Sequence, residues 1–98
     1  MFREPWYTVD PEEALRLEQE LDRELPVGHI LSGKGVVAIA MRKDQDDVLY
    51  QLVGPDSVAV VHLTYSQETM PAFPKTEIFP TLERFFSERM AIDCLEWE

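Results

Sequence analysis

Apolar positions along the chain repeat first with a helical period and then with a strand period. Ala14, Leu17, Leu21 and Leu25 recur at three- and four-residue spacing, which puts them in one stripe along a helix face. Asp10 stands at the N-cap, Pro11 at the first helical position, and Glu13 three residues after the cap, a capping box. Val9 and Ala14 occupy the positions of a hydrophobic staple, and Glu12 and Arg16 form an i,i+4 pair off the stripe. Pro26 ends the helix, because the residue before a proline is pushed out of the right-handed helical region.

After the Gly-punctuated connector "PVGHILSGKG" the period shortens. The runs "GVVAIAMRK" (35–43), "DVLYQLV" (47–53) and "SVAVVHLTY" (57–65) read as strands, joined by Asp44-Gln45-Asp46 and by Gly54-Pro55-Asp56. Connections this short predict an antiparallel meander. Alternation splits the third strand into Val58, Val60, His62 and Thr64 on one side and Ala59, Val61, Leu63 and Tyr65 on the other. Both sides are largely apolar, so the strand is expected to be covered on both faces, with His62 as a buried ring in need of a hydrogen-bond partner. The stretch "SQETMPAFPKT" (66–76) has two prolines and no helical period; it reads as a long loop anchored by Met70 and Phe73. A last helix is predicted from about Pro80 to Met90, with Leu82, Phe85, Phe86 and Met90 inward. The tail "AIDCLEWE" is apolar enough, through Ile92, Leu95 and Trp97, to pack on the body or on another copy of the chain. The expected fold is α+β, in the order α-β-β-β-α, a three- or four-stranded antiparallel sheet packed by two helices.

The 98 residues fit one domain, residues 1–98, large enough to bury a real core. Net charge is −10, and the acids concentrate in the two predicted helical ends: Glu12, Glu13, Glu18, Glu20, Asp22 and Glu24, then Glu77, Glu83, Glu88, Asp93, Glu96 and Glu98. Such a surface repels phosphate backbones, which argues against nucleic acid, and it suits either plain solvation or a protein partner with a basic surface. The single Cys94 forms no intramolecular disulfide, and no run approaches a membrane span or a secretory leader, so a cytoplasmic protein without membrane association is expected.

Candidate chemistry is sparse. "SGKG" (32–35) lacks the spacing of a phosphate loop and precedes a strand, so it reads as a turn. Ser66 is about 13 Å of strand rise from His62, too far for a dyad unless the chain bends after Tyr65. Cys94 sits beside Asp93 and Glu96, which disfavours a thiolate. His29, His62 and the "DQDD" turn do not make a metal-ligand set, and no cofactor is implied. The candidate binding residues are His62, Thr64, Tyr65, Ser66 and His29, grouped beneath the 66–76 loop, together with the aromatics Trp6, Tyr7 and Phe73. For the aromatics, satellite core is the competing reading.

The segments "GHILSGK" (28–34), "DDVLYQL" (46–52), "AVVHLTYS" (59–66) and "TEIFPTLERFFSERM" (76–90) together resemble a family of small uncharacterised bacterial proteins with a strand of the form A-V-V-H-L-T-[WY]-S. The resemblance spans about residues 25–92 and departs at Pro80, where an Asp cap is the family's pattern. It implies a bacterial cytoplasmic origin and the same element order, and it transfers no catalytic residue. The expected function is a non-enzymatic, acidic binding protein acting on a protein partner, possible as a homodimer. The alternative is a small-ligand or enzymatic site around His62 and the 66–76 loop.

Overall fold

The computed structural model describes residues 2–97; Met1, and Glu98 of the acidic tail, lie outside the described residues. Five antiparallel strands form one open sheet in chain order: β1 (Trp6–Thr8), β2 (Val36–Arg42), β3 (Asp47–Leu52), β4 (Val58–His62) and β5 (Thr76–Phe79). Helix α1 (Pro11–Glu24) interrupts the chain between β1 and β2. The C-terminal helix runs in three consecutive pieces: α2 (Leu82–Phe85), a wider π-type segment (Phe86–Met90) and α3 (Ala91–Trp97). The class is α+β, as the pattern predicts, with five strands where three or four were expected.

The two added strands lie at the sheet edges. β1 is three residues long and pairs Trp6 with Arg42 and Thr8 with Ala40. β5 begins within the segment expected to be loop and pairs Val58 with Phe79 and Val61 with Thr76. Both are too short to carry a readable period. Pro74 and Pro80 bracket β5, which discourages further pairing along that edge.

Helix α1 forms as its caps predict. Asp10 Oδ1 accepts the Glu13 N–H at 2.8 Å, and Leu25 turns extended ahead of Pro26. The Glu13 carboxylate does not close the capping box; it accepts from Tyr7 Oη and from Arg16 Nη2, so Arg16 pairs at i,i+3 and not with Glu12. Leu17 and Leu21 are buried against Ala38, Val48, Tyr50, Ala59 and Val61, with Ala14 and Leu25 at the margin. The opposite sheet face holds Trp6, Ala40, Leu49, Val58, Val60 and Phe79 against Phe85, Met90 and Cys94 of the C-terminal helix. Each face thus carries its own helix, and β4 is covered on both sides as its alternation requires.

A bulge in β2 decides what the second face can do. Ala38 lies in the first core and Ala40 in the second, although residues two apart share a face in a regular strand. The register shifts between them, re-aiming Arg42 toward the C-terminal helix. Glu18 reaches from α1 to accept the Ala38 N–H at 3.0 Å beside the irregularity.

The final helix begins one residue after Thr81, whose side chain accepts the Arg84 N–H at 3.1 Å; of Pro80 and Thr81, both near the expected start, Thr81 is the cap. The tail expected to pack by its apolar residues does so by the others. Asp93 and Cys94 are buried, whereas Ile92, Leu95 and Trp97 are exposed. The reason is the polar network into which Asp93 is drawn.

Candidate functional sites

His62 is not a buried ring. It closes β4 directly opposite Asp47, the first residue of β3, and its side chain is 53% exposed against 6% for that of Asp47. Its Nδ1 donates to Asp47 Oδ1 at 2.6 Å, since a carboxylate oxygen can only accept. The partner therefore comes from the neighbouring strand and not from the loop after Tyr65. The sequence pattern opens the strand 47–53 with Asp47, beside the polar turn, and gives it no partner. With Nδ1 so committed, the lone pair falls to Nε2, which makes no hydrogen bond among the described residues.

Behind Asp47 runs a chain of paired charges. Asp47 Oδ2 accepts from Arg89 Nη2 at 2.6 Å, and Arg89 Nε donates to Asp93 Oδ2 at 2.9 Å. Asp93 Oδ2 also takes the Trp6 indole N–H at 2.8 Å, and its Oδ1 meets Arg42 Nη1 at 3.0 Å. Arg42 then grips Asp44 with two parallel hydrogen bonds, at 2.9 and 2.8 Å, which hold the Asp44 carboxyl below its ordinary range. The Arg89 guanidinium lies 5.9 Å from the Trp6 ring centroid, a cation–π contact. Every buried side-chain nitrogen and oxygen among the described residues has a partner. This network pins the C-terminal helix to the sheet and fixes the His62 ring at its exposed end.

The ring opens onto a shallow hollow of about 360 Å³ whose rim is Gln45, Lys75, Thr76, Glu77 and Arg89. Glu77 accepts from Arg89 Nη1 at 3.3 Å, and Lys75 makes no ion pair among the described residues. A larger hollow, about 490 Å³, lies over the β2–β3 hairpin around Arg42–Asp46, where the Arg42–Asp44 pair already satisfies both partners.

The remaining sequence candidates do not join His62. Thr64 and Tyr65 belong to a second arrangement organised by Glu24, the last residue of α1 and fully buried. Glu24 Oε1 accepts the Thr64 N–H at 2.9 Å and its hydroxyl at 3.1 Å, while Oε2 accepts the Tyr65 N–H at 2.8 Å. Burial first, and then a hydrogen bond shared with Glu20, raise the Glu24 carboxyl above its ordinary value. The clamp holds Tyr65 at φ 56°, a left-handed conformation uncommon for a residue with a side chain. The ring stands half-exposed, its hydroxyl raised by burial and then by the Asp46 carboxylate.

His29 does a parallel job for the connector. Its Nδ1 accepts the Leu31 N–H at 3.0 Å, so Nε2 carries the proton and donates to Pro74 O at 2.8 Å, with Thr76 Oγ1 at 3.2 Å. It ties the 26–31 connector to the end of the long loop, and only through Thr76 does it approach the His62 hollow. The two segments lie side by side, since a Cβ on Gly28 would stand 3.5 Å from Pro71. Ser66 is exposed and Phe73 half-buried, while Met70 points outward and does not anchor the loop. Trp6 is core, buried against Phe85 with ring centroids 5.1 Å apart, and Tyr7 is a half-buried donor to Glu13.

Asp47, Arg89, Asp93 and Glu24 escaped the sequence reading because each was counted as a solvated acid or base. The turn decides the pairing of one of them: the observed four-residue turn over 53–56 sets Asp47 opposite His62, whereas the three-residue turn 54–56 read from the sequence would have set Leu63 there. No protein-family model, curated protein or solved structure matches the chain. No helix among the described residues is long and apolar enough to cross a membrane.

Proposed function

We propose that the protein acts by binding a protein partner with a basic surface, through the platform formed by the 26–31 connector and the 64–73 loop. One observation carries this reading: Tyr65 is held in a left-handed conformation by the buried Glu24 carboxyl while its ring stays exposed among carboxylates. Strain that the surrounding structure maintains at an exposed side chain is spent where that side chain must be presented. Val27, Ile30 and Met70 are exposed on the same two segments, so the platform offers apolar contact beside the aromatic ring. The charges acting on Tyr65 are Asp46, Glu20 and Glu24, opposed by Arg16, in a chain of net charge −10. A lysine or arginine laid on the ring gains from its face and from those acids. A second copy brings the same acids to the same place, so this platform favours an unlike partner. A homodimer would have to use another surface, of which the outer side of α3 with Ile92 and Leu95 is the apolar one. The resemblance over residues 25–92 and the single cysteine support a bacterial cytoplasmic setting for the interaction.

The test is capture by a photo-crosslinking residue placed at Met70, followed by the salt dependence of the captured complex. The expected result is one recurrent basic protein whose yield falls steeply with ionic strength and is lost in Tyr65→Ala. A complex indifferent to salt and to Tyr65→Ala removes the proposal.

A further inference from the structure

We propose that His62 is a proton-accepting centre, independent of the Tyr65 platform, and that its hollow takes uncharged esters, with a water offering its O–H to Nε2. Three features of the geometry lead to this. First, the ring is oriented from behind: Asp47 fixes Nδ1 as the donor, and Arg89, Asp93, Trp6 and Arg42 successively fix Asp47. An imidazole held in one tautomer presents one basic nitrogen in one direction. Second, His62 lines an open hollow, and its Nε2 makes no hydrogen bond to a protein group among the described residues. Third, the charge around the hollow restricts which ligands it takes. The groups facing or backing His62 are Asp47 from β3, Lys75 and Glu77 from the β5 edge, and Arg89 and Asp93 from the C-terminal helix, with Arg42 and Asp44 behind. Set against Arg42, Lys75 and Arg89, the carboxylates of Asp44, Asp47, Glu77 and Asp93 are in excess by one. The groups lining and backing the hollow therefore carry a net negative charge, which disfavours an anionic ligand.

The corresponding step on an uncharged ester balances without a further reagent. Nε2 takes a proton from a water as the water oxygen attacks the ester carbonyl. The tetrahedral intermediate then breaks its bond to the alcohol oxygen, which leaves with the proton held on Nε2. Ester and water become acid and alcohol, and the imidazole is regenerated. Lys75, at the rim, is the cation available to the developing oxyanion. Asp47 is a positioning residue in this scheme, acting through the ring.

The probes are p-nitrophenyl acetate, which is uncharged, and its hemisuccinate counterpart, which is anionic. The full chain is expected to cleave the acetate at least about 10-fold faster per mole than free imidazole at the same pH, and more slowly in D2O than in H2O, as proton transfer from the attacking water requires, whereas free imidazole attacks the ester directly. It is expected to favour the acetate over the hemisuccinate more than free imidazole does. His62→Gln is expected to abolish the excess rate while lowering the urea midpoint only slightly, since the glutamine amide can still donate to Asp47 Oδ1. Asp47→Asn is expected to lower the rate by about 10-fold and to split the His62 ring between tautomers in long-range 1H–15N spectra, a change that a purely structural role would not produce. If Asp47→Asn fails to fold, the His62→Gln comparison decides alone. A rate no greater than that of free imidazole, an excess rate surviving in His62→Gln, or a preference for the hemisuccinate overturns the proposal.

Discussion

Glu24 is the residue whose replacement tests most directly how α1 governs the exposed platform. Its carboxyl group accepts the Thr64 N–H at 2.9 Å, the Thr64 hydroxyl at 3.1 Å and the Tyr65 N–H at 2.8 Å, using both oxygens. Glu24→Gln keeps the shape but leaves one oxygen, so one of the two backbone donors must face an NH₂ group. An unsatisfied buried donor costs about 1–3 kcal/mol. Glu24→Leu leaves both backbone donors without a partner, an expected loss of about 2–5 kcal/mol on the same scale. Urea unfolding should therefore rank parent above Gln above Leu. Amide exchange at Thr64 and Tyr65 should accelerate in Gln before the strands are affected.

The pH dependence of the Gln penalty follows from the direction of the shift. Glu24 is raised in the folded state, by burial first and then by its hydrogen bond with Glu20. Such a group contributes stability that is fully present below its unfolded pKa and is lost as pH rises through its folded pKa. Glu20 is lowered, chiefly by that same hydrogen bond, so its own contribution is present above its unfolded pKa and lost as pH falls. Glutamine can still donate to the Glu20 carboxylate, so the difference between parent and Glu24→Gln isolates Glu24. The penalty should be largest at the acidic end and shrink as pH climbs past the ordinary carboxylate range. A penalty within about 0.5 kcal/mol of zero at every pH, or one that grows with pH, refutes the reasoning.

Two further outcomes follow from the buried polar groups. Asp93→Asn removes the carboxylate shared by Arg42, Arg89 and the Trp6 indole; it should cost about 3–5 kcal/mol in urea unfolding and release α3 from the sheet, seen as a gain in Cys94 accessibility to a thiol reagent. His29→Ala strips the Leu31 N–H of its partner and leaves the Pro74 carbonyl the Thr76 hydroxyl alone; it should cost about 1–3 kcal/mol and speed exchange at the Leu31 amide, while the Ala40 and Leu49 amides in the sheet keep their relative protection.

What the sequence determined is everything that repeats locally. Asp10, Pro11 and the Leu17–Leu21 stripe are enough to set α1, because caps and a 3.6-residue period act within a few turns. The three central strands and the two-sided burial of β4 follow from alternation and short turns. Edge strands of three and four residues are made by their partners, so β1 and β5 needed the assembled sheet. The polar site needed it more. Asp47 meets His62 only in one register, and a slip of one residue would put Leu63 there. Arg42 reaches Asp93 only because of the β2 bulge. Charges that look solvated in a linear chain become ligands for one another when a sheet and two helices close around them. Such pairing depends on distances across the fold, and periodicity carries no record of it. That is why α1 was legible from its residues, whereas the oriented ring of His62 and the clamp of Glu24 became visible only in three dimensions.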